Sequence, residues 1–170
     1  MMKQRAADWK PMTIFLFCIY FAVLTWIIVF KMALPGESLP HFRSVNWIPF
    51  GDSMIINDRI SYEEIIQNIL AFVPFGIYLS MLFPERSLIY KLLPASVCSL
   101  GYEILQFVCA IGASDITDWL GNSFGALIGM GVYTVFYHVF GKYTNRIFNI
   151  CATIATMGMS LLIVILIVSN

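Results

Sequence analysis

The chain has little charge. Asp, Glu, Lys and Arg make up 12% of 170 residues, ten acidic against ten basic. With no surplus of either sign, nothing points to nucleic acid as a partner or to electrostatic attachment at a membrane surface. Histidine occurs twice and cysteine four times. Cys18, Cys98, Cys109 and Cys151 each lie in an apolar stretch, never as Cys-x-x-Cys and never beside a histidine at metal-ligand spacing, so they read as small core residues. Also missing are Gly-x-Ser-x-Gly, His-Glu-x-x-His, the phosphate-binding Gly-x-x-x-x-Gly-Lys and the dinucleotide fingerprint. No cofactor or metal is expected, and no established motif speaks for an enzyme. Repeats and low-complexity tracts are absent too, so residues 1–170 are expected to form a single domain.

What the chain has in excess is hydrophobicity: 59% of it is apolar, outside the usual range for soluble domains. A spanning helix needs roughly 20 apolar residues, and five stretches approach that length: Pro11 to Phe30, Ile65 to Phe83, Leu88 to Ile111, Trp119 to Phe140 and Ile147 to Val168. The start Met1-Met2-Lys3-Gln4-Arg5 imitates a secretory signal. The uncharged run behind it exceeds the about 7–15 residues of a signal core, so an uncleaved first span is expected. The fold class is therefore an all-α polytopic membrane bundle of about five transmembrane helices. Pro74 and Pro94 interrupt two of the spans, where neighbouring helices can satisfy the freed carbonyls.

Basic residues set the expected orientation. Lys3, Arg5, Lys10, Arg86, Lys91, Lys142 and Arg146 fall on one side, leaving Lys31, Arg43 and Arg59 for the other. The positive-inside rule then puts the amino terminus in the cytoplasm and, with five spans, the carboxyl terminus outside. The one long connection, Lys31 to Glu64, contains Val45-Asn46-Trp47-Ile48-Pro49-Phe50, too apolar for disorder, and is expected to fold against the membrane face. Trp47 and Phe50 also fit ordinary interfacial aromatics.

Polar side chains inside spans are costly, about 2.5–3.5 kcal/mol for Asp at a helix centre on insertion scales, so their positions carry information. Glu103 and Gln106 are three apart, on one helical face. Asp118, Asn122, Gly125 and Gly129 follow a single helical stripe. Gly121, Gly125 and Gly129 repeat at every fourth position, a pattern that lets another helix approach closely. Asp115 and Asp118 sit where a helix N-terminus favours anions, and Ser114 or Asp115 is positioned to cap it. Glu64, Gln67 and Asn68 place a comparable patch at the outer end of the second span. Two readings stay open: a functional polar site on the extracytoplasmic side, with Glu103 able to serve as general acid or base, or a set of caps and buried hydrogen bonds that only fixes packing. His41, in the outer loop, and His138, at the inner end of the fourth span, add no catalytic pattern.

Ordered blocks then carry a resemblance. Asn46-Trp47-Ile48-Pro49-Phe50 is followed by Asn68 through Gly76, by Glu103-Ile104-Leu105-Gln106, by Ser114-Asp115-Ile116-Thr117-Asp118 and by Asn122 through Gly125. In that order, from about residue 46 to 129, they resemble the VanZ-like family of small bacterial membrane proteins. Many relatives carry an arginine just before the aspartate pair, where this chain has Gly112-Ala113-Ser114. Asp115 and Asp118 are thereby expected to draw on another loop, water or a metal, with Arg43 and Arg59 as substitutes. The resemblance implies a place in the bacterial cytoplasmic membrane and a link to reduced susceptibility to the glycopeptide teicoplanin, the phenotype associated with the founding member. The residues it marks as a functional surface are Asn46, Pro49, Phe50, Asn68, Glu103, Gln106, Asp115, Asp118 and Asn122, with a lipid-linked precursor or lipoglycopeptide as prospective partner besides the bilayer. The alternative it leaves is an intramembrane acid/base or metal-assisted enzyme acting on a lipid-linked envelope substrate.

Overall fold

The computed structural model describes residues 9–30, 42–49, 55–56, 59–60 and 62–169. His41 and Phe50 lie outside these residues. The first helix, α1, covers Lys10–Phe30 and carries no charge beyond its first residue. Its length of roughly 31 Å at 1.5 Å per residue matches an apolar core about 30 Å thick. α2, Glu63–Leu82, opens with Glu63 and Glu64, whose carboxylates suit the positive end of the helix dipole, and contains Pro74. α3, Leu88–Cys109, is capped by Ser87, whose hydroxyl accepts the Tyr90 N–H, and contains Pro94. It stops at Ala110, which turns the chain with a left-handed φ of 57°. α4 runs Ile116–Phe140, and Gly141, with φ 52°, ends it. A 3₁₀ turn at Gly141–Tyr143 leads into α5, Thr144–Ser169.

By length and composition, four stretches can cross a membrane: Lys10–Val29, Glu63–Leu82, Leu88–Cys109 and Ile116–Leu162, the last of 47 residues and running through the 3₁₀ turn. The helical membrane class expected from the sequence therefore holds, with four such stretches where about five were expected. Helix ends also moved: α2 and α4 begin two or three residues before the apolar runs, because polar Glu63, Glu64 and Asp118 belong to their first turns.

Short strands, which hydropathy gave no reason to expect, join the helices. β1 is Phe42–Asn46, β2 Ile55–Ile56, β3 Arg59–Ile60 and β4 Ile111–Asp115. β1 pairs in parallel with β4 in a register that sets Asn46 opposite Asp115, and β2 pairs antiparallel with β3. Within the long connection, β1 is thus tied to the α3–α4 corner by backbone pairing.

The core lies between α1, α2, α3 and α4. Leu24, Val29, Phe72, Phe75, Leu79, Ala95, Tyr102, Ala126 and Met130 are buried together. Rings carry the packing between α1 and α2, with Phe17 edge-on to Phe75 at 5.4 Å and Phe72 stacked on Phe75 at 5.5 Å. Tyr20 extends from α1 to donate to the Ala71 carbonyl at 2.6 Å, one residue beyond the Leu70 carbonyl that Pro74 cannot serve. α2 and α4 make the most extensive pairing of all elements. A Cβ built on Gly125 would run into the Ile69 carbonyl, and one on Gly129 into the Val73 carbonyl. Gly76 returns the arrangement, fitting against the Ala126 carbonyl. Backbone meets backbone along this seam.

At the far end of the bundle the buried Asn149 donates from Nδ2 to Thr13 Oγ1 at 3.0 Å, and the Thr13 hydroxyl divides its proton between the Trp9 carbonyl at 2.9 Å and Asn149 Oδ1 at 3.2 Å, which ties α5 to the start of α1. Phe148 packs its ring on Tyr133 and Phe136 of α4 at 6.0 and 5.1 Å.

Candidate functional site

The carboxyl ends of α1 and α3 and the amino ends of α2 and α4 come together at one end of the bundle. Here the polar stripe of α3 meets that of α4. Ser99, Glu103 and Gln106 occupy i, i+4 and i+7 of α3, and all three are buried. Asp115, Asp118 and Asn122 face them from the β4–α4 corner.

Asp115 is the node. Its Oδ1 accepts the Thr117 N–H at 2.8 Å, the N-cap of α4, and its Oδ2 accepts from Asn46 Nδ2 at 3.2 Å. Its backbone N–H donates to Glu103 Oε2 at 2.8 Å. Asn46 is held in turn by its Oδ1, which accepts the Ile48 N–H at 3.1 Å in an Asx turn. Ser114 Oγ donates to the Glu103 carbonyl at 2.6 Å. One side chain thus caps a helix, clips a strand from a distant loop and presents its own amide to a buried carboxylate.

Glu103 is 5% exposed, and the carboxylates of Asp118, Asp115 and Glu64 act on it electrostatically. Gln106, 4% exposed, donates from Nε2 to the Ile28 carbonyl of α1 at 2.8 Å, while among the described residues its Oε1 finds no partner. Asn122, fully buried, donates from Nδ2 to Ser99 Oγ at 2.9 Å, and among the described residues its Oδ1 likewise has none. Gln106 is one turn beyond Glu103 on α3, and Asn122, on α4, bonds Ser99 one turn before it. Burying an amide oxygen without a donor costs about 1–3 kcal/mol.

The other sequence-selected residues fall as follows. Asn68 is buried on α2, its Cβ 3.7 Å from where a Gly121 Cβ would sit. Asp118 is half-buried in the first turn of α4. Pro49 is exposed beside the exposed apolar tip of Trp47 and Ile48, outside the polar cluster. His138 is exposed, with its Nδ1 at 2.8 Å from the Thr134 carbonyl oxygen one turn back. Among the described residues no three of His, Cys, Asp and Glu are grouped to hold a metal ion. Ser99 was missed from the sequence. Its signal was its position four residues before Glu103, on the same stripe.

The chain, whose Asn46, Glu103 and Asp115 meet at one node, matches the family profile described as VanZ/LLP1 over residues 17–137. The chain belongs to the VanZ/LLP1 family. Protein VanZ of Enterococcus faecium is 36% identical over 120 residues, 69% of this chain and 71% of that protein. No solved structure matches. The matched region spans α1 through nearly all of α4, so the VanZ-like part contains the whole node, and α5 lies beyond it.

Proposed function

We propose that this VanZ-like chain is a five-span protein of the bacterial cytoplasmic membrane, amino terminus inside and carboxyl terminus outside, whose outer polar cluster binds a lipid-linked precursor or a lipoglycopeptide and lowers susceptibility to teicoplanin-type drugs. The five-span reading is supported by the 3₁₀ turn and by the packing of Phe148 on Tyr133, which fold α5 back along α4. A straight 47-residue rod would be roughly 70 Å long, more than twice the apolar thickness of a bilayer. The basic residues at the two ends support the orientation.

The observation that carries the binding reading is the meeting of Asn46, Glu103 and Asp115, from three separate segments, with Gln106 and Asn122 on the same helical stripes and, among the described residues, no donors to their side-chain oxygens. A purely structural network in an apolar solvent is expected to close its hydrogen bonds internally. The test is expression of the wild type and of Glu103→Gln and Gln106→Leu in a susceptible host, measuring membrane protein level and teicoplanin susceptibility together. The variants are expected at wild-type level with susceptibility restored. Unchanged susceptibility at equal protein level refutes the site.

The enzymatic alternative has one supporting observation, the action of Asp118 and Asp115 on Glu103, as expected of carboxylates that share a proton task. Against it, Asp115 already spends both oxygens on the α4 cap and on Asn46. Binding is the reading the geometry favours.

A further inference from the structure

A cleft of about 360 Å³ lies between α5 and the α1–α2 pair, apart from the polar cluster. We infer that it is a binding site for one acyl chain of a membrane phospholipid. Ile19 and Val23 of α1, Pro74 and Ile77 of α2, and Ala155 and Met159 of α5 stand in its three walls, and no charged side chain lines it. Apolar cavities of this kind stay dry and take apolar guests. At the end nearer the Thr13–Asn149 pair the cleft is closed by the buried cluster of Leu16, Tyr78, Met81 and Tyr133, against which Phe148 packs. Toward the other end α5 stands open: from Met157 onward every described residue of it is exposed. A helix packed on protein shows a buried face, so this half of α5 faces hydrocarbon on all sides, and the cleft opens along it. α5 lies beyond the family match, which makes the third wall this chain's own addition to the matched region.

Dimensions choose the occupant. On α5 the lining runs from Phe148 to Ser160, roughly 18 Å along the axis at 1.5 Å per residue. Spread over that length, the volume corresponds to a channel of roughly 20 Å² in section, whereas an α-helix roughly 10–12 Å across occupies roughly 80–110 Å². The cleft is several-fold too narrow for a helix of a second copy and wide enough for one polymethylene chain. Its length is close to the hydrocarbon depth of a single leaflet, roughly half of a 30 Å core. Small side chains at Cys151, Ala152 and Ala155 keep the α5 wall low. The chain enters from the open end and sets its methyl terminus against Phe148 and Met81, filling the space that separates α5 from α1 and α2. From the five-span reading the site takes only that α5 lies in hydrocarbon.

The test uses the full chain, reconstituted in phosphatidylglycerol vesicles, exchanged into mild detergent and read by native mass spectrometry. The wild type is expected to retain one phospholipid per chain. Ala155→Phe, which puts a ring into the cleft, is expected to retain at least about tenfold less. Ile154→Phe changes the adjacent residue, which is exposed and does not line the cleft, and is expected to retain as much as the wild type. Cys151→Leu fills the same cleft with a smaller group and takes the place of Ala155→Phe if that variant fails to fold. No lipid on the wild type, no loss in the filled variants, or equal loss in Ile154→Phe overturns the proposal. A dimer that Ala155→Phe dissociates assigns the cleft to a second copy and overturns it as well. Labelling of Cys151 by a membrane-impermeant maleimide, applied from both faces of the membrane with Cys18, Cys98 and Cys109 replaced by alanine, separates the two readings. Reaction removes α5 from hydrocarbon and the cleft with it, whereas protection of Cys151 without retained lipid removes the cleft alone.

Discussion

Three glycines at four-residue spacing on α4 are equivalent in the sequence and unequal in the structure, which makes alanine substitution a sharp test. At Gly121 the added methyl would meet Asn68 Cβ and the Ile65 carbonyl oxygen at 3.7 Å, ordinary van der Waals contact. Nothing has to move there, and alanine is favoured over glycine in a helix interior by about 0.8–1 kcal/mol. Gly121→Ala is therefore expected to be neutral or to stabilise by up to about 1 kcal/mol. At Gly125 and Gly129 the methyl would overlap the carbonyls of Ile69 and Val73, backbone atoms of α2 that have no rotamer to change. The helices must separate along their most extensive seam. Overpacking costs about 1–3 kcal/mol, and the propensity gain recovers at most about 1 kcal/mol, so each substitution is expected to destabilise by about 1–2 kcal/mol and the pair by more. Denaturant-induced unfolding in mild detergent, followed by far-ultraviolet circular dichroism, reads the ranking. Equal effects at all three positions, or the largest effect at Gly121, would refute the α2–α4 contact described here.

The Asn46–Asp115 hydrogen bond predicts a coupling energy of about 0.5–1.5 kcal/mol in a double-mutant cycle of Asn46→Ala and Asp115→Ala read by the same unfolding assay, and no coupling would mean that the loop is not clipped to the corner. Asp115→Ala alone is expected to cost about 0.5–2 kcal/mol more than that bond, since it also removes the cap of α4. Ala110 holds a left-handed conformation at the end of α3, which an L side chain adopts at a cost of roughly 1–2 kcal/mol. Ala110→Gly is expected to raise stability by about 1 kcal/mol, and a fall in the unfolding midpoint would contradict the assigned turn.

The helical segments were legible in the sequence because each needs only a local run of about 20 apolar residues. Their ends were less so. Glu63, Glu64 and Asp118 suit the first turn of a helix through the dipole, while a hydropathy reading stops before them. The count of spans depends on Gly141–Tyr143, three residues whose turn breaks an otherwise continuous apolar stretch. The strands were not legible at all. β4 is five residues fused to helices on both sides, and its partner lies 69 residues upstream at the Asn46–Asp115 pair, so no local pattern encodes the pairing. For the site, periodicity placed Glu103 with Gln106 and Asp118 with Asn122. That Asn46 would join them followed only from the family order of the blocks, and Ser99 escaped because a lone serine in a span is unremarkable by composition.

The buried amides differ in their partners. Asn149 turns both its oxygen and its nitrogen to the Thr13 hydroxyl, which ties α1 to α5 and divides its single proton between Asn149 Oδ1 and the Trp9 carbonyl. Gln106 reaches Ile28 of α1 and Asn122 reaches Ser99 of α3, each through its nitrogen, and among the described residues neither oxygen has a partner. In hydrocarbon no water replaces a missing partner, so selection for stability alone would favour the Asn149 arrangement everywhere. Leucine at position 106 would remove the unsatisfied oxygen at the loss of a single bond to Ile28. The chain nonetheless keeps these amides on the polar stripes of α3 and α4 that also carry Glu103 and Asp118. Under the proposed binding role, their cost is offset by a group arriving from outside the chain.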